Sequence, residues 1–95
     1  MRVDLAESDD LPARVRAIAD ESVVVVIDSG WAALPLALAL ALAQAAIAPL
    51  AIERAPAGRL NLVVRGAGAD PAAVEAAVAF LEAARSTTGQ ILAIS

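Results

Sequence analysis

Cysteine, histidine, lysine and tyrosine are all missing from the 95 residues, and the aromatic side chains stop at Trp31 and Phe80. Without cysteine there is no disulfide framework and no thiolate nucleophile. Without cysteine or histidine the usual zinc, copper and iron ligand sets cannot be assembled, so carboxylates are the only metal donors left. None is well placed. Asp9 and Asp10 are adjacent and point apart at a helix start, where they read as capping charges. Glu75 and Glu82 lie two turns apart on the outer face of a helix and read as solvation. No two carboxylates are spaced for acid–base work, and Ser29 has no histidine to activate it. No metal site, no cofactor and no catalytic residue are expected.

The seven basic residues are all arginine and are scattered along the chain, against a net charge of -4 and a pI near 4.5. A nucleic-acid surface needs clustered cations to displace counterions from phosphates, and a single-strand surface needs a stacking platform. Neither is present, so no nucleic-acid partner is expected. The N-terminus, Met1-Arg2-Val3-Asp4, lacks the apolar core of a signal peptide, which makes the cytoplasm the expected compartment.

What the sequence has in abundance is alanine. Hydrophobic residues make up 60% of the chain, but 26 of them are alanine, whose side chain buries little surface. A single domain spanning 1–95 is therefore expected to have a thin core and to gain from a partner. The larger apolar residues concentrate in Val23 to Ile27, the leucines of 34 to 42, Leu60 to Val64, Val74 to Leu81 and Ile91 to Ile94.

These clusters alternate in type. Arg2 to Leu5 is a short strand candidate. Ser8, Asp9 and Asp10 suit a helix N-terminus, and Leu11, Val15 and Ile18 recur at helical spacing, predicting a helix of roughly three turns. Ser22 to Ile27 is a β-branched run closed by Asp28-Ser29-Gly30, as in a strand buried on both faces. Residues 31 to 52 are almost wholly alanine and leucine and predict a helix, with Pro35 in its first turn and Pro49 kinking or ending it; 53 to 58 is the exit. Leu60 to Val64 predicts a strand, Gly66-Ala67-Gly68 a turn, and Asp70-Pro71 an N-cap with proline at the first helical position. Val74, Ala77, Val78 and Leu81 form one face of the helix 71–84, and Gln90 to Ile94 closes the chain as a strand. The βαβαβαβ order implies an open parallel sheet of about four strands covered by helices.

Two stretches carry a resemblance. Leu50-Ala51-Ile52-Glu53-Arg54-Ala55-Pro56-Ala57-Gly58-Arg59-Leu60-Asn61-Leu62-Val63-Val64-Arg65-Gly66 is similar to the "LALELAPxGIRVNxVxPG" segment of short-chain dehydrogenase/reductases. Ala77-Val78-Ala79-Phe80-Leu81, followed by Thr88-Gly89-Gln90-Ile91-Leu92-Ala93-Ile94, is similar to that family's "AVxFLxS…TGQxLxVDGG" ending. Together they span 50 to 95, and the resemblance is to the C-terminal part of a 3-oxoacyl-reductase-like protein, implying a truncated Rossmann-like fold. Extending the register backwards puts the family's catalytic Tyr-x-x-x-Lys pair near Leu36 and Leu40. The tyrosine's proton transfer and the lysine's hold on the cofactor ribose are beyond leucine. Ser29 follows a strand as the family's catalytic serine does; equally, Val26 to Gly30 can be a relic of the earlier "LVNNAG" strand. The family's TGxxxGxG cofactor loop has no counterpart. Gly66-Ala67-Gly68 is the one candidate phosphate cradle, but Asp70 at the cap would put a carboxylate where a phosphate would sit.

The uncharged run 31 to 52 admits a membrane reading, disfavoured by weak alanine insertion, two prolines, a glutamine and flanking α/β elements. As a helix on a sheet it buries one face and leaves the other an apolar stripe of the kind that marks an interface. In the dehydrogenase family the corresponding helix packs on its mate in a dimer core, and the last helix and strand build the second tetramer contact. The expected function is therefore a catalytically inactive dehydrogenase-like subunit. It would associate with itself or a full-length short-chain reductase, one acting on acyl thioesters among the candidates, through Leu34, Leu38, Leu42, Ala45, Phe80, Leu81, Gln90, Ile91 and Leu92. Two other readings remain open. One is a binding module for an anionic ligand, a nucleotide or acyl-CoA, at the strand ends around Ser29, Gly30, Gly66 and Gly68. The other is a residual enzyme whose partner supplies Tyr, Lys and cofactor while this chain contributes Ser29 or Asn61.

Overall fold

A computed structural model of the protein describes residues 1–6, 9–28 and 36–94. In chain order its elements are β1 (Arg2–Asp4), α1 (Leu11–Arg16), β2 (Ser22–Asp28), α2 (Leu36–Arg54), β3 (Arg59–Arg65), α3 (Pro71–Ala83) and β4 (Ile91–Ile94). The sheet runs β1-β2-β3-β4 with every neighbouring pair parallel. Each helix is thus the crossover that a parallel pair requires, and the result is the small Rossmann-like α/β fold that the alternating pattern predicts.

The central strands explain why their sequences are continuous rather than alternating. On β2, Val23, Val25 and Ile27 face the core under α1 and α2, while Val24 and Val26 face the core under α3. On β3, Leu60, Leu62 and Val64 take the first side and Val63 the second. A parallel strand covered on both faces has no side for polar residues, and each valine or leucine fully buried contributes about 1.5–3 kcal/mol. Asn61 is the one polar residue buried in this layer.

Four details differ from the sequence reading. Helix α1 ends at Arg16, well short of three turns. The carbonyls of its last turn and of the segment after it are met from another element: the Arg54 guanidinium donates to Val15 O at 3.3 Å, to Ile18 O at 3.1 Å and to Asp20 O. Ile18 still packs on the core, but from outside the helix. Of the three proposed capping residues Asp10 does the capping, accepting from Ala13 N at 3.1 Å. Asp9 instead accepts from Ala6 N at 2.8 Å and pairs with Arg14, and Ser8 lies outside the described residues. Helix α2 runs through Pro49 to Arg54. Pro49 sits on its exposed side beside exposed Ala45, so the carbonyl deprived of a donor faces water.

Helix α3 begins as predicted, with Asp70 accepting from Ala72 N at 3.0 Å and Pro71 in its first turn, and it buries Val74, Ala77, Val78 and Leu81. Its acidic residues are the fourth difference. Glu75 takes the Arg2 guanidinium of β1, and Glu82 lies 3.6 Å from the Met1 amine, so both line the flank beside β1 instead of an outer face. Among the described residues no helix is long and apolar enough to cross a membrane.

Candidate functional site

The buried side of α2 consists of Ala43, Ile47, Leu50 and Ala51. On the opposite side Leu38, Leu42, Ala45, Pro49 and Ile52 recur at steps of four and three, which places them in one line along the helix. Leu38 is 49%, Leu42 46% and Ile52 77% exposed, and no charged residue occurs between 36 and 52. Leu34, expected in the same stripe, lies outside the described residues.

At its far end the stripe meets the turn that leads into β4. Ala48, Ala51, Ile52 and Ala55 line a hollow of about 250 Å³ whose other wall is Thr88 and Gly89. That turn is held from below by Asn61. Its Nδ2 donates to Thr87 O at 2.9 Å and its Oδ1 accepts from Gln90 N at 3.1 Å. Leu60 N donates to Thr88 Oγ1 at 3.0 Å, and Gly89 N donates to Leu60 O at 2.7 Å, with Gly89 at a φ of 73° that favours glycine. Both ends of the buried Asn61 amide are engaged by main-chain atoms, so it positions a turn. Its role was not visible in the sequence, because the partners are main-chain atoms some 26 to 29 positions away.

Across the sheet edge the predicted contact residues divide. Phe80 is 63% exposed, whereas Leu81 is 1% exposed and belongs to the core under α3. Gln90 is exposed. Ile91 and Leu92 are half-buried on opposite faces, Ile91 against the α1/α2 core and Leu92 against the α3 core. Between α3 and β4 lies a hollow of about 420 Å³ lined by Phe80, Leu81, Leu92, Gln90 and the Ser86 to Thr88 turn. The structure therefore brings together the end of the α2 stripe, the 86–90 turn and β4, with Phe80 on the other face of the same edge.

At the opposite ends of the strands, Ser29 and Gly30 lie outside the described residues. The Gly66 amide donates to Ile94 O at 2.7 Å and the Ala69 amide to Gly66 O at 3.1 Å, so both are committed within the fold, and Gly68 is exposed beside them. Arg65 Nε is paired with Asp28 Oδ1 at 2.8 Å. With Asp70 capping α3, this end presents a carboxylate where an anion would sit. Among the described residues no group of three or more acidic side chains is gathered that could hold a metal ion.

A family model described as short chain dehydrogenase-like protein matches residues 4–94. The chain belongs to this family. The match reaches from the end of β1 to the end of β4, well beyond the 50–95 stretch whose motifs carried the resemblance. No curated protein and no solved structure matches the chain. For this short-chain dehydrogenase-like chain, the positions that the resemblance aligns with the catalytic Tyr and Lys open α2: Leu36 is its first residue, and Leu40, half-buried, packs against the α1/α2 core.

Proposed function

We propose that this short-chain dehydrogenase-like chain is a catalytically inactive cytoplasmic subunit that works by association, with a second copy or with a full-length reductase, through the outer side of α2 and the α3/β4 edge. The observation that carries the reading is the uncharged stripe Leu38, Leu42, Ala45 and Ile52, left open to solvent in a chain that has neither tyrosine nor lysine. Large exposed apolar surface on a small domain costs solubility and marks contact sites. A thin, alanine-rich core gains stability by mass action when a partner binds only the folded form. Exposed Phe80 extends the apolar surface on the other side of the sheet.

The test is the mass of the purified chain in solution, alone and mixed with full-length short-chain reductases. Self-association or co-elution with a reductase is expected, with Leu42→Glu weakening it. A well-folded monomer that binds none of them overturns the reading.

A further inference from the structure

We propose that Arg54, seated by Gly58, is the latch on α1: α1 and the 17–21 segment form a unit that opens separately from the sheet, and this one side chain at the end of α2 sets how often it does. The proposal stands apart from the association reading.

α1 has little of its own to hold it. Its six residues make a helix too short to persist by itself in water. Only Leu11 and Val15 are buried on it, and the segment that follows is exposed except for half-buried Ile18. The Arg16–Glu53 ion pair beside it is exposed on both sides and contributes little. Between the segment and the turn after α2 lies a hollow of about 270 Å³, walled by Ala19, Asp20 and Glu21 together with Arg54, Ala57 and Gly58. The two stretches are not packed face to face there, and Arg54 spans them.

Its guanidinium is shaped for that. Nη1 donates to Val15 O at 3.3 Å and to Ile18 O at 3.1 Å, and Nη2 donates to Asp20 O. One planar group thus gathers three carbonyls at and beyond the end of α1 that a helix this short leaves without partners of its own. A charged donor makes each bond stronger than a neutral one would. Nε is buried without a partner, so the hold rests on the two terminal nitrogens and on where the stem carries them.

Gly58 fixes that direction. Its backbone is not left-handed, so space is what calls for glycine here. A Cβ at this position would lie 3.1 Å from Arg54 Cβ, 3.1 Å from Arg54 O and 3.4 Å from Arg54 Nε. Arg54 O also accepts from Gly58 N at 2.8 Å, so the carbonyl cannot swing away without losing that bond. The side chain has to yield instead. A shift of a few tenths of an ångström at its Cβ, carried along the stem, takes Nη1 out of reach of carbonyls it holds at 3.1 and 3.3 Å.

Native-state hydrogen exchange of the full chain tests this. The amides of Arg14, Ala17 and Ile18 bond inside the unit and report on it, while those of Val24 and Leu62 report on the sheet. In the wild-type chain the first three should open at a lower free energy than the last two. Arg54→Ala should speed their exchange about 30-fold and change Val24 and Leu62 far less. Gly58→Ala should give the same pattern at about 5-fold, although it lies in the turn after α2. Adding Gly58→Ala to Arg54→Ala should speed α1 no further, because no guanidinium is left to displace. If Arg54→Ala does not fold, Arg54→Met replaces it, keeping the apolar stem and removing the donors, with the same results expected. Separate opening in the wild-type chain, together with a double variant no faster than the Arg54 variant alone, supports the latch. Wild-type α1 amides that exchange only with the sheet, a uniform loss in the variants, or additive effects in the double variant overturn it.

Discussion

The two edge strands of this sheet are attached by opposite means. β1 alternates: Val3, and Leu5 just beyond it, are buried in the core on the α1/α2 side, while Arg2 and Asp4 stand on the other face and pair with each other at 3.2 Å, and Arg2 also reaches Glu75 of α3. β4 is apolar on both faces and fully covered on neither, and what fixes it is a buried amide, Asn61, gripping the turn that leads into it. The first edge is finished by its own chain. The second holds its shape but carries no charge from Ile91 to Ile94 and leaves apolar side chains half-buried on both faces.

The comparison breaks most visibly at its apolar anchor. Leu5→Ala removes a side chain that is 6% exposed and leaves a cavity between β1 and α1, at an expected cost of about 3 kcal/mol. Urea denaturation measures it. Because the damage lies at the β1 edge, the β4 turn held by Asn61 should keep its hydrogen-exchange protection at urea concentrations where the variant is still folded.

Asn61→Ala comes next, at about 2 kcal/mol, since it strands the Thr87 carbonyl and the Gln90 amide without their partner. Hydrogen exchange should show amides of the 87–94 segment losing protection while β1 and β2 keep theirs. An equal loss across the whole sheet would mean that Asn61 contributes general stability and does not specifically hold the β4 turn.

The difference between the edges also marks what the sequence made legible. The valines of β2, the buried row on α3 and the Asp70-Pro71 start declare themselves because burial on a strand or helix imposes a period that can be read locally. The family motifs named the fold class and pointed at Leu36 and Leu40. Arg54 and Asn61 gave no such signal. Arg54 ends α1 from 34 to 39 positions away, and Asn61 holds its turn from across the sheet, so each role exists only once the chain has folded. The ion pairs of Glu75 and Glu82 with the β1 end were hidden for the same reason. On the candidate surface, the α2 stripe follows from helical spacing alone, whereas Leu81 was assigned to it by motif and packs inside.

Thr88→Val is a smaller test of the same turn. The amide of buried Leu60 loses its side-chain acceptor at 3.0 Å, because the valine methyl takes the place of the hydroxyl. About 1 kcal/mol is expected, with the 87–94 amides affected more than those of β1. A Thr88→Ser variant should recover most of it, since it restores the oxygen.

The smallest effect belongs to the charged edge. Arg2→Ala removes hydrogen bonds and ion pairs to Asp4 and Glu75, both of them exposed, and should cost about 0.5 kcal/mol, fading further at high salt. Hydrogen bonding to Asp4, and then to Glu75, raises the Arg2 guanidinium above its ordinary value. A group raised on folding contributes fully below its unfolded value and loses that contribution only as pH climbs through the higher folded one. For arginine that range lies beyond any pH at which the protein would be handled. The cost of Arg2→Ala should therefore be flat between about pH 6 and 9. The charges at this edge have a second effect that stability does not record. Replacing Arg2 and Asp4 together with valine would leave β1 as bare as β4. If charge is what keeps β1 from pairing, that double variant should self-associate more strongly than the wild-type chain in sedimentation while its unfolding midpoint barely moves.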